Sequence, residues 1–170
     1  FPGGASQLSS YYDAILFLSF ISGRNPHYLI GEQVVAAPVI KDLCIEAIST
    51  GYILVDGGAR SAVEIISGTQ SIPMEKIDVI ISHALAGQYL GMKFIYLESG
   101  SGASKSVEIP LIQRVSDEID VPLIVGGGIT SPRKARKIVC AGASIVVTGS
   151  VIEGEPQKMK EFADAIHINE

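Results

Sequence analysis

The sequence predicts an α/β fold, a (β/α)8 TIM barrel represented by its C-terminal five βα units. Short apolar runs alternate with segments of helical period, which is the mark of βα units on a parallel sheet. The runs are continuously apolar rather than alternating, as strands covered on both faces are. Five such runs are present, and a closed barrel needs about eight strands. Phe1-Pro2-Gly3-Gly4 also reads as a loop leaving a strand. The expectation is one domain over residues 1–170 that lacks the first three βα units. The rival is an open doubly wound sheet, complete as it stands; it lacks support because no GxGxxG or Walker motif follows the first run.

In chain order, the expected strands are Ala14–Ser19, Tyr52–Val55, Phe94–Leu97, Leu123–Val125 and Ile145–Thr148. Between the first two, Leu29, Ile30, Val34, Val39, Leu43 and Ile48 sketch a helical stripe from Tyr28 to Ile48, broken or kinked at Pro38. Glu75 to Leu90 places Ile77, Ile80, Ile81, Ala84 and Leu85 on one face, with Gly91 as a stop. Pro110 opens a helix that carries Leu111, Ile112, Val115 and Ile119. Ser131-Pro132 is an N-cap followed by proline at the first helical position, and Gly142 ends that helix. Pro156 to Ile166 forms the last amphipathic helix.

Composition removes several function classes. With 47% hydrophobic and 18% charged residues the chain is globular rather than disordered. A net charge of −5 argues against a nucleic-acid groove, which needs clustered Lys and Arg. No apolar run approaches the length of a membrane span, and no basic segment leads into Ala14–Ile21 as a signal peptide requires. Cys44 and Cys140 lie far apart inside apolar helical patterns, and buried free thiols in a reducing cytoplasm are expected.

The chemistry is concentrated in three glycine-rich loops, each directly after a strand: Glu98-Ser99-Gly100-Ser101-Gly102, Gly126-Gly127-Gly128-Ile129 and Gly149-Ser150. Barrels of this class place their sites at the carboxyl ends of the strands, and the loops after the last two strands commonly bind phosphate through backbone amides. Glycine there permits positive φ and a close approach of the backbone to the anion. Glu98 ends its strand, and the strand period of two puts Tyr96 on the same side. A carboxylate partly withdrawn from water beside that anion site is suited to take a proton from a substrate hydroxyl. The bare pattern equally allows Glu98 to cap the following loop. Asp56 reads either as a site residue or as the first residue of an Asp-Gly turn. Ser22-Gly23-Arg24-Asn25-Pro26 reads as a binding loop or a plain helix approach. His27 and His83 lack metal-ligand spacing and read as packed or exposed helix residues, Arg133 and Lys134 read as a solvated face or as leaning toward a bound anion, and His167 has no role.

Together these motifs resemble one family. Tyr96-Leu97-Glu98-Ser99-Gly100-Ser101-Gly102 is similar to the Y-L-E-x-G-S-G signature of geranylgeranylglyceryl phosphate synthases. Arg24-Asn25-Pro26, Thr50-Gly51-Tyr52-Ile53, Gly126-Gly127-Gly128-Ile129 and Thr148-Gly149-Ser150 resemble its other landmarks in the same order, over nearly the whole chain. The resemblance implies a prenyltransferase that moves a geranylgeranyl group from geranylgeranyl diphosphate to the C3 hydroxyl of sn-glycerol 1-phosphate, the first ether bond of archaeal membrane lipids. It assigns glycerol phosphate binding to Tyr96, Leu97, Glu98, Ser99, Gly100, Ser101, Gly102, Gly127, Gly128, Gly149 and Ser150. Glu98 is expected to orient or deprotonate the hydroxyl, and Tyr96 to flank the allylic carbon. Mg²⁺ is implied as cofactor, with ligands after the first two barrel strands and none in this chain. A cytoplasmic homo-oligomer is expected. The alternatives are a heptaprenyl-type relative, an isomerase or synthase sharing the phosphate loops, and an inert or merely phosphate-binding fragment.

Overall fold

The computed structural model describes residues 5–167, so the expected loop at Phe1–Gly4 lies outside the described residues. Five strands form one sheet: β1 (Ala14–Ser19), β2 (Glu46–Leu54), β3 (Phe94–Glu98), β4 (Leu123–Gly126) and β5 (Ile145–Val147). Their order is β1-β2-β3-β4-β5 and every pair is parallel. A doubly wound sheet must reverse its strand order at some point. This one never does. The sheet is an arc of a barrel.

Its two faces differ as a barrel wall's do. Ile53, Leu97, Leu123 and Val125 point to the outer face and are sealed by α3 (Ile77–Tyr89), α4 (Ile109–Glu118), α5 (Pro132–Cys140) and α7 (Met159–Ile166). Leu18, Tyr52, Leu54, Tyr96 and Ile124 form a separate cluster on the inner face. Helix starts follow the expected chemistry: the Ser131 hydroxyl accepts from the Lys134 amide at 3.3 Å, with Pro132 at the first turn.

The segment from Tyr28 to Ile48 departs from the single kinked helix the sequence predicts. A π turn over His27–Gly31 leads into α1 (Glu32–Asp42), which passes through Pro38 unbroken, and Ile48 belongs to β2. Pro38 deprives only the Val34 carbonyl of its helical donor, and Val34 is exposed to water. The stop comes at Cys44, whose φ of 56° is left-handed. The Cys44 amide donates to the Lys41 carbonyl at 3.1 Å and the Ile45 amide to Ile40 at 3.1 Å. That is a Schellman motif with cysteine where glycine is usual. Ile40 and Ile45 bury together beside it. β2 starts six residues earlier than Tyr52 because Ala14 to Ser19 pair in register with Glu46 to Gly51.

Both cysteines are exposed free thiols, not buried ones: Cys44 sits on the turn and Cys140 ends α5 with its side chain outward. Two short helices escape the periodicity, α2 (Ala62–Ser67) and α6 (Ser150–Gly154), each too brief for a full apolar stripe. α2 exists through its cap. The Ser61 hydroxyl accepts from the Glu64 amide, and the Glu64 carboxylate accepts from Ser61 in return.

A left-handed non-glycine residue costs about 1–2 kcal/mol, part of which glycine's extra freedom when unfolded offsets. Cys44→Gly is therefore expected to stabilise the fold by about 0.5–1 kcal/mol in urea unfolding. No change, or a loss, would show that the cysteine is not strained.

Candidate functional site

β3 and β4 bring the site together. Glu98 and Gly126 are register partners at the carboxyl ends of these strands. The Glu98 side chain lies on the inner face and is only 8% exposed. Tyr96, two residues earlier on that face, donates its phenolic O–H to Glu98 Oε2 at 2.7 Å, and the Gly100 amide donates to Oε1 at 2.8 Å. Beneath the carboxylate there is no room for a side chain. A Cβ on Gly126 would lie 2.5 Å from both Glu98 Oε2 and the Tyr96 hydroxyl, and one on Gly127 would lie 2.5 Å from Oε1. The glycine run makes space for the acid.

A cavity of about 230 Å³ opens beside the carboxylate. Glu98, Ser101, Gly102, Gly127, Gly128, Gly149 and Ser150 line it, so all three glycine-rich loops meet there. Among the described residues, the amides of Gly127, Gly128, Ile129 and Gly149 have no acceptor within the protein. Unspent donors around a concavity are what an anion needs. Thr148, named above only as a strand end and within a family landmark, adds a hydroxyl, and so does Thr130, which the sequence reading did not single out.

The remaining signature residues are not at the cavity wall. Leu97 points to the opposite face, fully buried under the helices, so its side chain cannot touch a ligand there. Ser99 supports the turn: its amide donates to the Gly126 carbonyl at 3.1 Å and its side chain is buried against Gly127. Gly100 orients the carboxylate and packs on Ser61 of the α2 cap. Asp56 accepts from the Gly58 amide at 2.8 Å, and its exposed side chain serves the turn.

An apolar cavity of about 200 Å³ lies on the other flank, lined by Leu18, Phe20, Tyr28, Tyr52, Val63 and Ile66 among others. Tyr52 connects the two regions. Its ring packs edge-to-face on Tyr96 at 5.2 Å and on Phe20 at 5.3 Å. Sequence alone could not pair Tyr52 with Tyr96, because their contact depends on β2–β3 register. The Ser22–Pro26 loop borders a third concavity with Thr69 and His83, where Arg24 lies 3.5 Å from His83 Nε2. His27 pairs with Glu32 at the surface at 2.8 Å.

Burial pushes the Glu98 carboxyl up from its ordinary value, and the bonds from Tyr96 and Gly100 only partly oppose it. Burial, then the Glu98 charge, raises both Tyr96 and Tyr52, so both phenols stay protonated. A protonated Tyr96 can only donate to the carboxylate it touches.

The PcrB family profile matches residues 1–166. The chain belongs to the PcrB family. It is 50% identical over 167 residues to a geranylgeranylglyceryl phosphate synthase of Chitinophaga pinensis, covering 98% of this chain and 66% of that one. To the enzyme of that name from Sulfolobus acidocaldarius it is 44% identical over 159 residues, covering 93% and 61%. This PcrB chain thus spans about two thirds of the length of such curated relatives, which are bacterial as well as archaeal. Its fold matches the (S)-3-O-geranylgeranylglyceryl phosphate synthase of Thermoplasma acidophilum, crystallised with its substrate sn-glycerol-1-phosphate. The TM-score is 0.89 at 34% identity, over 98% of this chain and 68% of that one.

No three His, Cys, Asp or Glu side chains gather among the described residues of this PcrB chain. No described helix is long and apolar enough to cross a membrane.

The raised Glu98 carboxyl has a consequence for stability. Folding favours its protonated form, so its contribution is present below the ordinary carboxylate value of about 4.5 and is lost as pH climbs through the raised one. The stability difference between Glu98→Gln and the unsubstituted protein is expected to move in favour of Glu98→Gln as pH rises from about 4.5. Urea unfolding across a pH series measures it; a flat difference would mean an unshifted carboxyl.

Proposed function

We propose that this PcrB protein transfers a geranylgeranyl group from geranylgeranyl diphosphate to the C3 hydroxyl of sn-glycerol 1-phosphate. One observation carries the reading: a buried carboxylate with raised proton affinity lines an amide-lined cavity, and the Tyr96 and Tyr52 rings lead from it to an apolar one. Amides of Gly127, Gly128 and Gly149 hold the phosphate, which leaves the far end of a three-carbon alcohol beside Glu98. Glu98 takes the hydroxyl proton, the oxygen bonds to the first carbon of the allylic chain, and the carbon–pyrophosphate bond breaks. An acceptor whose pKa is raised toward neutrality is the better base for an alcohol.

Tyr96 holds the base in place, and the Tyr52 and Tyr96 rings line the route from the apolar cavity. Their faces suit the positive charge that develops on an allylic carbon as pyrophosphate leaves. The prenyl tail lies in the groove formed by Leu18, Phe20, Val63 and Ile66. Departing pyrophosphate carries charge that Mg²⁺ is suited to neutralise, so the cation belongs to the proposal as a companion of the donor. Exposed Val34, Val35, Ile65 and Ile66 support association into a homo-oligomer, and the two separated free thiols suit a cytoplasmic protein.

Incubation with Mg²⁺, sn-glycerol 1-phosphate and labelled geranylgeranyl diphosphate is expected to yield the ether, with longer donors used less well. Glu98→Gln should lower turnover by about 100-fold or more, the ordinary worth of a general base, while glycerol phosphate binding persists. Unaltered turnover would remove Glu98 from the chemistry. Tyr96→Phe should retain part of the activity, since the ring survives and only one donor to the carboxylate goes. Chelation should abolish turnover and added Mg²⁺ restore it; turnover indifferent to the chelator would remove the metal from the proposal.

A further inference from the structure

α5 opens with two cations, Arg133 and Lys134, at the end where the helix dipole disfavours positive charge. The sequence reads them as a solvated face or as leaning toward a bound anion. Arg133 is exposed, but Lys134 is half-buried and its Nζ donates to the Gly128 carbonyl at 3.1 Å. The same residue is gripped at its backbone, where its amide donates to the Ser131 cap. Lys134 therefore joins the start of α5 to the glycine turn in front of it.

What it grips is the least self-supporting part of the site. Gly127 and Gly128 both have left-handed φ, 85° and 61°. With no Cβ, nothing intrinsic holds either one there. A peptide unit is planar and trans, so a clamp on the Gly128 carbonyl also fixes the direction of the Ile129 N–H on the opposite side of the same plane. Ile129 lines the cavity, and its amide has no acceptor within the described protein.

We propose that Lys134 is a positioning residue of the anion site, clamping the Gly128–Ile129 peptide so that the turn's amides stay aimed at phosphate. The ammonium also places a positive charge behind the bound anion. The inference rests on the phosphate site proposed above, but not on prenyl transfer.

Calorimetric titration with inorganic phosphate and with sn-glycerol 1-phosphate tests it on the unsubstituted protein and on Lys134→Met, Lys134→Gln, Lys134→Arg and Arg133→Met. Lys134→Met should weaken both ligands by about three- to tenfold, the usual net worth of a single hydrogen bond. Lys134→Arg should recover most of the loss, and Arg133→Met should stay within about twofold, as an exposed charge does. In amide NMR spectra without ligand, Lys134→Met should shift Gly128 and Ile129, which loss of a remote charge alone would not do. Should Lys134→Met fold poorly, Lys134→Gln, which keeps a polar head of shorter reach, takes its place in the same measurements.

Unchanged affinity on replacing Lys134 overturns the inference. So does an equal loss in Arg133→Met, which would point to diffuse charge, and so does absence of phosphate binding by the unsubstituted protein. If phosphate affinity falls as expected but no form of the protein transfers a prenyl group, Lys134 keeps its role and the transferase reading fails. Where transfer is observed, the KM for glycerol phosphate should rise with the binding loss while kcat stays within about twofold.

Discussion

The Glu98 carboxylate is seated on bare backbone, with the α-carbons of Gly126 and Gly127 directly against its oxygens. A charge that deep in a protein is tolerated only with donors close by, and each donor is placed by a different element. Tyr96 reaches it because β3 returns to the same face every second residue. Gly100 reaches it because the chain turns back at a left-handed glycine, φ 103°. That turn leans on the Ser61 cap of α2, while the Ser99 carbonyl packs on Gly57 in the loop after β2. Moving the carboxylate by one side-chain width would therefore disturb two strands, one helix start and two loops. The carboxyl end of the sheet is built around it.

This explains what was legible beforehand. Four of the strands could be read as apolar runs to within about a residue, since no polar side chain interrupts them before their last position. β2 could not, because its first half, Glu46 to Ser49, is only partly covered and carries polar side chains. The helix stop before it was hidden by Cys44, which takes the left-handed position at which a glycine would have been recognised. α2 was invisible to periodicity and is held by a cap instead.

At the site the same division holds. Period two along one strand was enough to put Tyr96 beside Glu98, and strand-then-glycine was enough to mark the loops that line the cavity. Whatever depends on register between strands, or on the direction of a long side chain, was not readable. Tyr52 faces Tyr96 across 44 positions of sequence. Gly126 underlies Glu98 because the two are partners in the β3–β4 ladder. Lys134 turns inward where its neighbour Arg133 turns out, and no spacing rule tells the two apart.

A comparison inside the molecule shows why this carboxylate in particular is suited to proton chemistry. Glu64 and Glu98 are equally little exposed to water, 8% each, but Glu98 lies much deeper in the protein. Burial works to raise both, yet the Glu64 carboxyl ends below its ordinary value, because the amides of Ser71 and Ser61, the Ser71 hydroxyl and the charge of Arg60 together outweigh it. Glu98 has two donors and no cation, and ends above. The first carboxylate is saturated with hydrogen bonds and has no call for a proton; it ties α2 to the loop beyond. The second is left short of partners at the wall of a cavity and beside a stack of aromatic rings. In the proposed reaction an alcohol entering there would supply the bond that the fold withholds, and the incomplete solvation that costs stability is what would make the group a base.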